Sequence, residues 1–175
     1  MLFRSAVSIV RSVSSETIIA VDNCYGEFTQ INEPSSFDID IMAGSLIKNP
    51  GGGIAPTGGY IAGKSKYIKV VADRLTVPGI GREIGSYAAS YIPFYQGLFL
   101  APHVVSQSKK IAVLIAAVFE KLGFETLPMK NDPRNDIVQC VRFKTPDQMV
   151  SFCKNVQKYS PVDSFVTPEP SYMPG

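Results

Sequence analysis

The stretch that decides the fold is residues 18–53, IIAVDNCYGEFTQINEPSSFDIDIMAGSLIKNPGGG. It opens with a short apolar, β-branched run, which is typical of a buried parallel strand and ends at Asp22. The segment FDIDIMAG at 37–44 predicts a second strand, which leads into Lys48 and the glycines at 51–53. Because open α/β folds bind ligands at the carboxyl ends of their strands, this pattern places Asp22 and Lys48 at a binding edge.

The residues at this edge suit the chemistry of pyridoxal 5'-phosphate. This cofactor is an electron sink only if a carboxylate keeps its pyridine nitrogen protonated and a lysine holds its aldehyde as a Schiff base. Asp22 can supply the carboxylate and Lys48 the amine. Tyr25 can hydrogen-bond the ring oxygen, and Ser45 can give a hydroxyl to the phosphate. We therefore predict Asp22, Tyr25, Ser45 and Lys48 as cofactor-binding residues, Lys48 as the catalytic residue, and the glycine run as backbone that passes close to the ligand.

Five segments share their order and spacing with a known family: VDNCYGEF, AGSLIKNPGGGIAPTGGYIAG, RLTVPGIGREIG, YQGLFLAPHVV and VDSFVTPEP. They resemble the methionine gamma-lyase-like family, also labelled aluminium resistance protein or cystathionine beta-lyase-like, over nearly the whole chain. The resemblance implies the aspartate-aminotransferase-like fold, fold type I. It also implies Asp22 at the pyridine nitrogen and Lys48 in the internal aldimine. Tyr25 fits the D-x-x-Y pattern of that fold type, and Ser45 fits its S-x-x-K pattern.

The same resemblance implies an activity. It is that of a pyridoxal phosphate-dependent carbon–sulfur lyase, which acts by β- or γ-elimination on a sulfur amino acid such as methionine or cystathionine. The carbon at which elimination occurs stays open. A cytoplasmic homo-oligomer, a tetramer in the family, is also implied. A fold type I aminotransferase is less favoured, because the extended motifs match the lyase-like family.

Length is the main departure from that family. A fold type I subunit is roughly twice this chain of 175 residues, since its cofactor domain alone exceeds the usual ~100–150 residues. We therefore expect a piece of the fold: part of a three-layer α/β/α large domain in residues 1–122, and the start of an α+β C-terminal domain in residues 123–175. The alternative function is a truncated, non-catalytic fragment, without the phosphate-gripping turn and the ring-stacking aromatic residue that lie upstream in the family.

The remaining pattern alternates helix and strand, as in a doubly wound α/β domain. Further strands are predicted in TGGYIAG (57–63), FETLPM (124–129) and DIVQCVRF (136–143). Helices are predicted at the N-terminus, with Leu2, Ala6, Ile9, Val10 and Val13 at apolar positions, and then at 64–75, from near Glu83, at 95–122 and at 145–160. Gly123 is the expected C-cap of the long helix, and Thr145 the expected N-cap of the last one.

Composition excludes several function classes. The net charge of +2, with both signs interspersed, offers no basic stripe for nucleic acid. A single histidine, His103, supplies a zinc site poorly, and we expect that residue to be structural and the protein to hold no metal. Three cysteines without C-x-x-C spacing fit a reducing compartment. The longest apolar run, residues 111–119, is about half the roughly 20 residues that cross a membrane, so we expect no membrane partner.

Some features keep two interpretations. The N-terminal stretch lacks acidic residues and has the composition of a transit peptide, but its helical spacing favours a helix before the first strand. The run GGGIAPTGG lacks the residue order of a nucleotide-binding loop, because Lys48 precedes the glycines. The glycines of GIG at 79–81 form a turn or line the site from a neighbouring subunit. Arg74, Arg82 and Arg134 are candidates for binding a substrate carboxylate, and the sequence does not choose among them.

Overall fold

The computed structural model describes residues 2–173, apart from the side chain of Leu2. These residues fall into two units. The first takes the residues up to Ala112 together with Pro133–Val138, and the second takes Val113–Asp132 and the residues from Gln139 onward. Helices and strands occur in both units, which confirms the mixed α/β class.

The first unit contains a three-stranded sheet formed by β1 (Ala20–Asp22), β2 (Ile41–Ser45) and β3 (Gly59–Gly63). β1 pairs with β2 in parallel, and the register places Asp22 beside Ala43. β2 pairs with β3 in the antiparallel direction, with Ser45 opposite Gly59. The three predicted strands are therefore confirmed, and the parallel pair ends at the edge where Asp22 and Lys48 were expected.

Two predictions about this sheet are wrong. β1 is not buried, because Ala20 and Asp22 are exposed and Val21 is only half-buried. The described residues do not form a doubly wound parallel sheet either, since the sheets have three and two strands. The loop between β2 and β3 turns the chain back on itself, closed by a hydrogen bond from the Leu46 N–H to the Gly58 carbonyl (3.0 Å), and so β3 runs antiparallel to β2.

Helix α1 (Leu2–Val13) precedes the sheet as predicted, but its inward face differs from the predicted one. Val7 is buried, and the ring of Phe3 packs edge-on against Phe37 at 5.6 Å between centroids. Ile9 and Val13 are instead exposed. The face that packs inward carries Phe3 and Val7, which are four residues apart. The sequence therefore predicted the helix correctly but assigned the inward face to the wrong side of it. The predicted contribution of the Leu2 side chain lies outside the described residues.

A four-residue ionic network joins α1 to the sheet. The Arg11 guanidinium contacts Asp38 (2.9 Å) and Asp40 (2.6 Å), and the Lys64 ammonium contacts both carboxylates at 2.9 Å. Asp40 is buried and also accepts a hydrogen bond from the Ile19 N–H (2.9 Å). That N–H and the two cations hold the pKa of Asp40 far below its usual range. The network fixes the entry into β1 and β2.

Asp40 should make stability depend on pH. A carboxyl group with a lowered folded-state pKa stabilises the fold fully above its unfolded pKa, about 3.9, and this contribution is lost progressively as the pH falls from there through the folded-state pKa. We expect Asp40→Asn to lower the urea midpoint at pH 7 and to lower it by a smaller amount at pH 3. Glu16→Gln, at an exposed carboxylate, is the control and should leave both midpoints unchanged. An Asp40→Asn deficit that is equally large at both pH values would contradict this role.

One helix and one 3-10 turn lie between β3 and the long helix. α2 (Ser65–Leu75) is confirmed. The helix predicted from near Glu83 is wrong, because only a 3-10 turn forms there, at Gly81–Ile84. Gly81 (φ 60°) and Gly85 (φ 83°) bracket that turn in left-handed backbone, which an α-helix does not tolerate.

Helix α3 (Ile92–Lys121) confirms the predicted long helix and supplies residues to both units. Within the first unit its Ala101, Val105 and Ala112 are buried, whereas Phe99 is 84% exposed. By length and composition α3 could cross a membrane, and 17% of its apolar window is buried. We had predicted that no segment is long and apolar enough to span a membrane. That prediction considered only the run at 111–119 and missed the apolar residues before it. Such a helix is weak evidence of a membrane span, since core helices of soluble proteins can have the same length and apolar composition.

The second unit combines the end of α3 with β4 (Glu125–Leu127), β5 (Cys140–Arg142) and α4 (Pro146–Lys158). β4 and β5 pair in the antiparallel direction. Four phenylalanine rings, those of Phe119, Phe124, Phe143 and Phe152, pack together with centroid distances of 5.1–6.2 Å. Both predicted caps are confirmed: Gly123 is left-handed (φ 83°), and the Thr145 hydroxyl accepts from the Gln148 N–H at 3.3 Å.

Candidate active site

Asp22 is the last residue of β1, and it lines a groove. The Cys24 N–H donates to its Oδ1 (3.0 Å), and the neighbouring Asn23 N–H continues the ladder to the Ala43 carbonyl (2.8 Å). The backbone N–H and thiol of Cys24, followed by the charge of Lys48, lower the pKa of Asp22 against the opposing effect of desolvation. Asp22 is exposed, whereas we expected it to be buried at the end of its strand. It is an ionised hydrogen-bond acceptor at neutral pH.

Lys48 lies between β2 and a 3-10 turn at Asn49–Gly51. Its Nζ sits 4.3 Å from the centroid of the Tyr25 ring, within cation–π range. Desolvation lowers the pKa of Lys48, but a hydrogen bond to Tyr25 and electrostatic interactions with Cys24 and Tyr25 outweigh it, and the net shift is upward. The side chain is therefore an ammonium at neutral pH and must lose a proton before its amine can attack a carbonyl.

Tyr25 occupies an unusual backbone conformation for a tyrosine. Its φ of 70° lies in the left-handed region, which bulky residues rarely adopt. The turn that holds it is closed by a hydrogen bond from the Gly26 N–H to the Asn23 carbonyl (3.0 Å). Strain of this kind persists where the surroundings enforce it and is frequent at functional sites. Here it places the Tyr25 ring under the Lys48 ammonium.

Ser45 ends β2 and lines the same groove. The groove has a volume of about 480 Å³, which is within the size range of small-ligand sites. Its walls combine the side chains of Asp22, Cys24 and Ser45 with small residues, namely Ala20, Ala43, Gly44, Gly58 and Gly59. The four predicted cofactor residues thus meet in one region: Asp22 and Ser45 line the groove, and Lys48 contacts Tyr25 and influences the pKa of Asp22.

The glycine run makes close backbone contacts within the protein that the sequence did not predict. A Cβ on Gly51 would collide with the Leu46 carbonyl, and a Cβ on Gly52 would collide with the Gly97 carbonyl of α3. Gly53 has open space around it. The close approach at this loop is therefore between the Lys48 loop and the backbone of α3.

The remaining candidates are spread out. Arg74 and Arg82 are exposed, and Arg134 is buried in a loop whose backbone accepts a hydrogen bond from Gln30 at 2.6 Å. His103 lies on an exposed part of α3. Gly79 (φ 85°) and Gly81 (φ 60°) serve the turn after α2. Which of the three arginines would bind a substrate carboxylate stays open.

The sequence reasoning missed a set of polar residues behind the groove. Asn23, Glu27 and Asn49 are all buried, and the Tyr60 hydroxyl hydrogen-bonds Glu27. One signal was available: Asn23 directly follows Asp22, and Asn49 directly follows Lys48. A polar residue next to each candidate functional group indicates side chains that could hold the two loops in place.

Comparison with known proteins gives consistent matches. The sequence model of the methionine gamma-lyase family matches residues 3–175. An "Uncharacterized 33.9 kDa protein in glnA 5'region" of Lactobacillus delbrueckii subsp. bulgaricus is 49% identical over 98% of this chain and 56% of its own length. The uncharacterized protein YnbB of Bacillus subtilis is 50% identical over 98% of this chain and 41% of its own length. The chain therefore spans roughly half of the curated relatives it matches.

Crystal structures agree with these matches. A Listeria monocytogenes protein described as a "putative cystathionine beta-lyase involved in aluminum resistance" is 47% identical, with a TM-score of 0.93 over 99% of this chain and 43% of its own. A Clostridium novyi NT protein described as a "carbon-sulfur lyase involved in aluminum resistance" is 48% identical, with a TM-score of 0.91 over 97% of this chain and 41% of its own.

Proposed function

The chain belongs to the methionine gamma-lyase family, and from that premise we propose that it forms part of a pyridoxal phosphate-dependent carbon–sulfur lyase of fold type I. The observation that supports this most directly is the Lys48 ammonium on the Tyr25 ring, beside a groove that Asp22 and Ser45 line. The substrate class is a sulfur amino acid such as methionine or cystathionine. A cytoplasmic homo-oligomer is part of the same proposal.

The residues fit the cofactor by their chemistry. Asp22 is kept ionised, as a partner for a protonated pyridine nitrogen must be. Ser45 offers a hydroxyl to a phosphate across the groove, and the small residues around it leave room for a planar ring. Lys48 would hold the cofactor covalently, and Tyr25 would hydrogen-bond its ring oxygen. When bound, pyridoxal phosphate supplies an electron sink for charge that develops at Cα of an amino acid.

The chain's own residues then divide the work of elimination. Lys48 Nζ, once freed as an amine, removes the Cα proton of the substrate. Desolvation favours the neutral amine that this step needs, whereas Tyr25 and Cys24 favour the ammonium that results. Asp22 retains its negative charge throughout. A γ-elimination needs a second proton transfer, which the same Nζ can perform, so these residues allow loss of a thiol from either carbon.

Product analysis tests this function. The purified chain, supplied with pyridoxal phosphate, should convert cystathionine or methionine into a thiol, ammonia and a 2-oxo acid in equal amounts. Pyruvate would identify β-elimination, and 2-oxobutanoate would identify γ-elimination. Transfer of the amino group to an added 2-oxo acid, without thiol release, would contradict the proposal in favour of an aminotransferase.

The second candidate is a member of the same family that does not hold the cofactor by itself. The exposure of Asp22 favours it, because water competes for a carboxylate that is not shielded. This candidate predicts a folded chain with no change in pyridoxal phosphate absorbance on mixing and no thiol release. The lyase proposal predicts the opposite result in both measurements.

A further inference from the structure

Two buried asparagines adjoin the two residues that matter most for the proposed cofactor site. Asn23 follows Asp22 and is 7% exposed, and Asn49 follows Lys48 and is 5% exposed. Buried amides are retained where their hydrogen bonds are satisfied, because an unsatisfied buried polar group costs about 1–3 kcal/mol. The partners of these amides therefore show what holds each loop.

Both amides are connected to Glu27 by hydrogen bonds. The Asn49 amide donates to the Glu27 main-chain carbonyl at 3.0 Å. The Asn23 amide donates to the Tyr60 hydroxyl at 3.1 Å and also to Glu33 Oε2 at 3.1 Å, and the Tyr60 hydroxyl donates to Glu27 Oε1 at 2.9 Å. Glu27 itself is 4% exposed. One buried residue thus connects the loop after β1 to the loop after β2 through three hydrogen bonds.

The charge state of this connection follows from its surroundings. Glu27 Oε2 is buried and has no hydrogen-bond partner among the described residues. Burial raises the pKa of Glu27 and the nearby Glu33 carboxylate raises it further, whereas hydrogen bonds from the backbone of Glu27 and Tyr25 and from the Tyr60 hydroxyl act in the opposite direction. Burial also raises the pKa of Tyr60, which keeps its hydroxyl a neutral donor. The Glu27 carboxyl group is therefore a buried acceptor for the Tyr60 hydroxyl, with a pKa above its ordinary value.

We propose that Glu27 is a positioning residue, which sets the placement of Lys48 relative to Asp22. It accepts a hydrogen bond from Asn49 directly and is connected to Asn23 through the Tyr60 hydroxyl. This inference rests on the proposed function, in which Asp22 and Lys48 hold the same cofactor. A site of this kind tolerates little displacement, since misplacement by about 1 Å can cost about 100-fold in rate. Glu27 is not among the residues that line the groove, and it acts through its partners.

The test measures Lys48 in the cofactor-free chain. Acylation of each lysine by an amine-reactive ester is followed by mass spectrometry of peptides between pH 7 and 10. Tyr60→Phe removes the hydroxyl that joins Asn23 to Glu27. We expect it to loosen Lys48 from Tyr25 and Cys24 and to raise the Lys48 acylation rate about threefold, because a lower Lys48 pKa leaves more of the reactive amine at a given pH.

Three variants complete the design. Tyr67→Phe removes a tyrosine hydroxyl in α2, outside this cluster, and it should leave Lys48 unchanged. Glu27→Gln keeps an acceptor oxygen at Oε1 and should also leave Lys48 unchanged. Asn23→Ser removes the hydrogen bond to Tyr60 without touching the aromatic ring, and it also removes the bond to Glu33, so it replaces Tyr60→Phe if that variant does not fold.

The outcomes separate positioning from general destabilisation. A rise at Lys48 alone, with Lys66 and Lys69 acylated as in the wild type, supports the proposal. An unchanged Lys48 rate in the folded Tyr60→Phe and Asn23→Ser variants, or an equal rise at all lysines, would overturn it. A rise at Lys48 in Glu27→Gln would show that an acceptor oxygen at this position is not sufficient, and it would overturn the role assigned to Glu27. Because the assay contains no cofactor, failure of the chain to bind pyridoxal phosphate would contradict the proposed function without deciding this test.

Discussion

Replacing Lys48 with alanine should abolish both the visible absorbance of bound pyridoxal phosphate and the release of thiol from sulfur amino acids. The proposed function gives this side chain two tasks, covalent attachment of the cofactor and removal of the Cα proton. Loss of a positioned acid–base group alone lowers a rate by about 10²–10⁴-fold. Loss of covalent attachment adds to that effect, so we expect at least a roughly 100-fold drop, measured as the rate of thiol release at saturating substrate.

The matched control is Lys66→Ala. Lys66 is an exposed lysine at the start of α2, where its ammonium lies 4.6 Å from the Tyr67 ring. It shares the cation–π setting of Lys48 but is not among the groups that shift the pKa of Asp22. We expect it to retain wild-type absorbance and thiol release. Equal losses in the two variants, or full activity in Lys48→Ala, would contradict the role assigned to Lys48.

Replacing Gly97 with alanine should destabilise the first unit, although helix propensity alone predicts the reverse. Alanine is about 1 kcal/mol more favourable than glycine inside a helix. A Cβ at Gly97 would, however, collide with the backbone of Gly51, and both residues are buried. Backbone atoms do not move aside as the end of a flexible side chain does. Overpacking of this kind costs about 1–3 kcal/mol, so we expect a net loss of free energy of unfolding, read from urea denaturation.

Ser106→Ala, at an exposed position of the same helix, separates the two effects. It gains helix propensity without a new contact and should be neutral or slightly stabilising. A stabilised Gly97→Ala would show that the Gly51 and Gly97 backbones are not in close contact. Since Gly51 closes the turn after Lys48, we also expect Gly97→Ala to weaken pyridoxal phosphate binding.

The elements nearest the site were predictable because their signals are local. The alternation in residues 37–44 predicted β2, and the glycine-bounded run at 57–63 predicted β3. Thr145 and Gly123 acted as caps, which depend on a few adjacent backbone groups. Asp22 and Lys48 came together because β1 and β2 are parallel neighbours.

The features that could not be predicted depend on contacts between distant residues. Nothing in the neighbourhood of Glu27 indicates a buried carboxyl group, since glutamate is rarely buried, and its burial becomes visible only once Tyr60 and Asn49 are placed around it. The collision partners of Gly51 and Gly97 lie on separate elements. Likewise, the spacing of Ile9 and Val13 showed a helix but not which side of it would face the sheet.

The central claim is that Lys48 is the lysine that holds pyridoxal phosphate. The most direct test is to mix the wild-type chain with the cofactor, reduce it with borohydride, digest it, and identify the modified peptide by mass spectrometry. Our account predicts that the cofactor mass appears on Lys48 at concentrations that leave the exposed lysines unmodified. No modified peptide, or a modification spread over exposed residues such as Lys66 and Lys69 with no preference for Lys48, would contradict it.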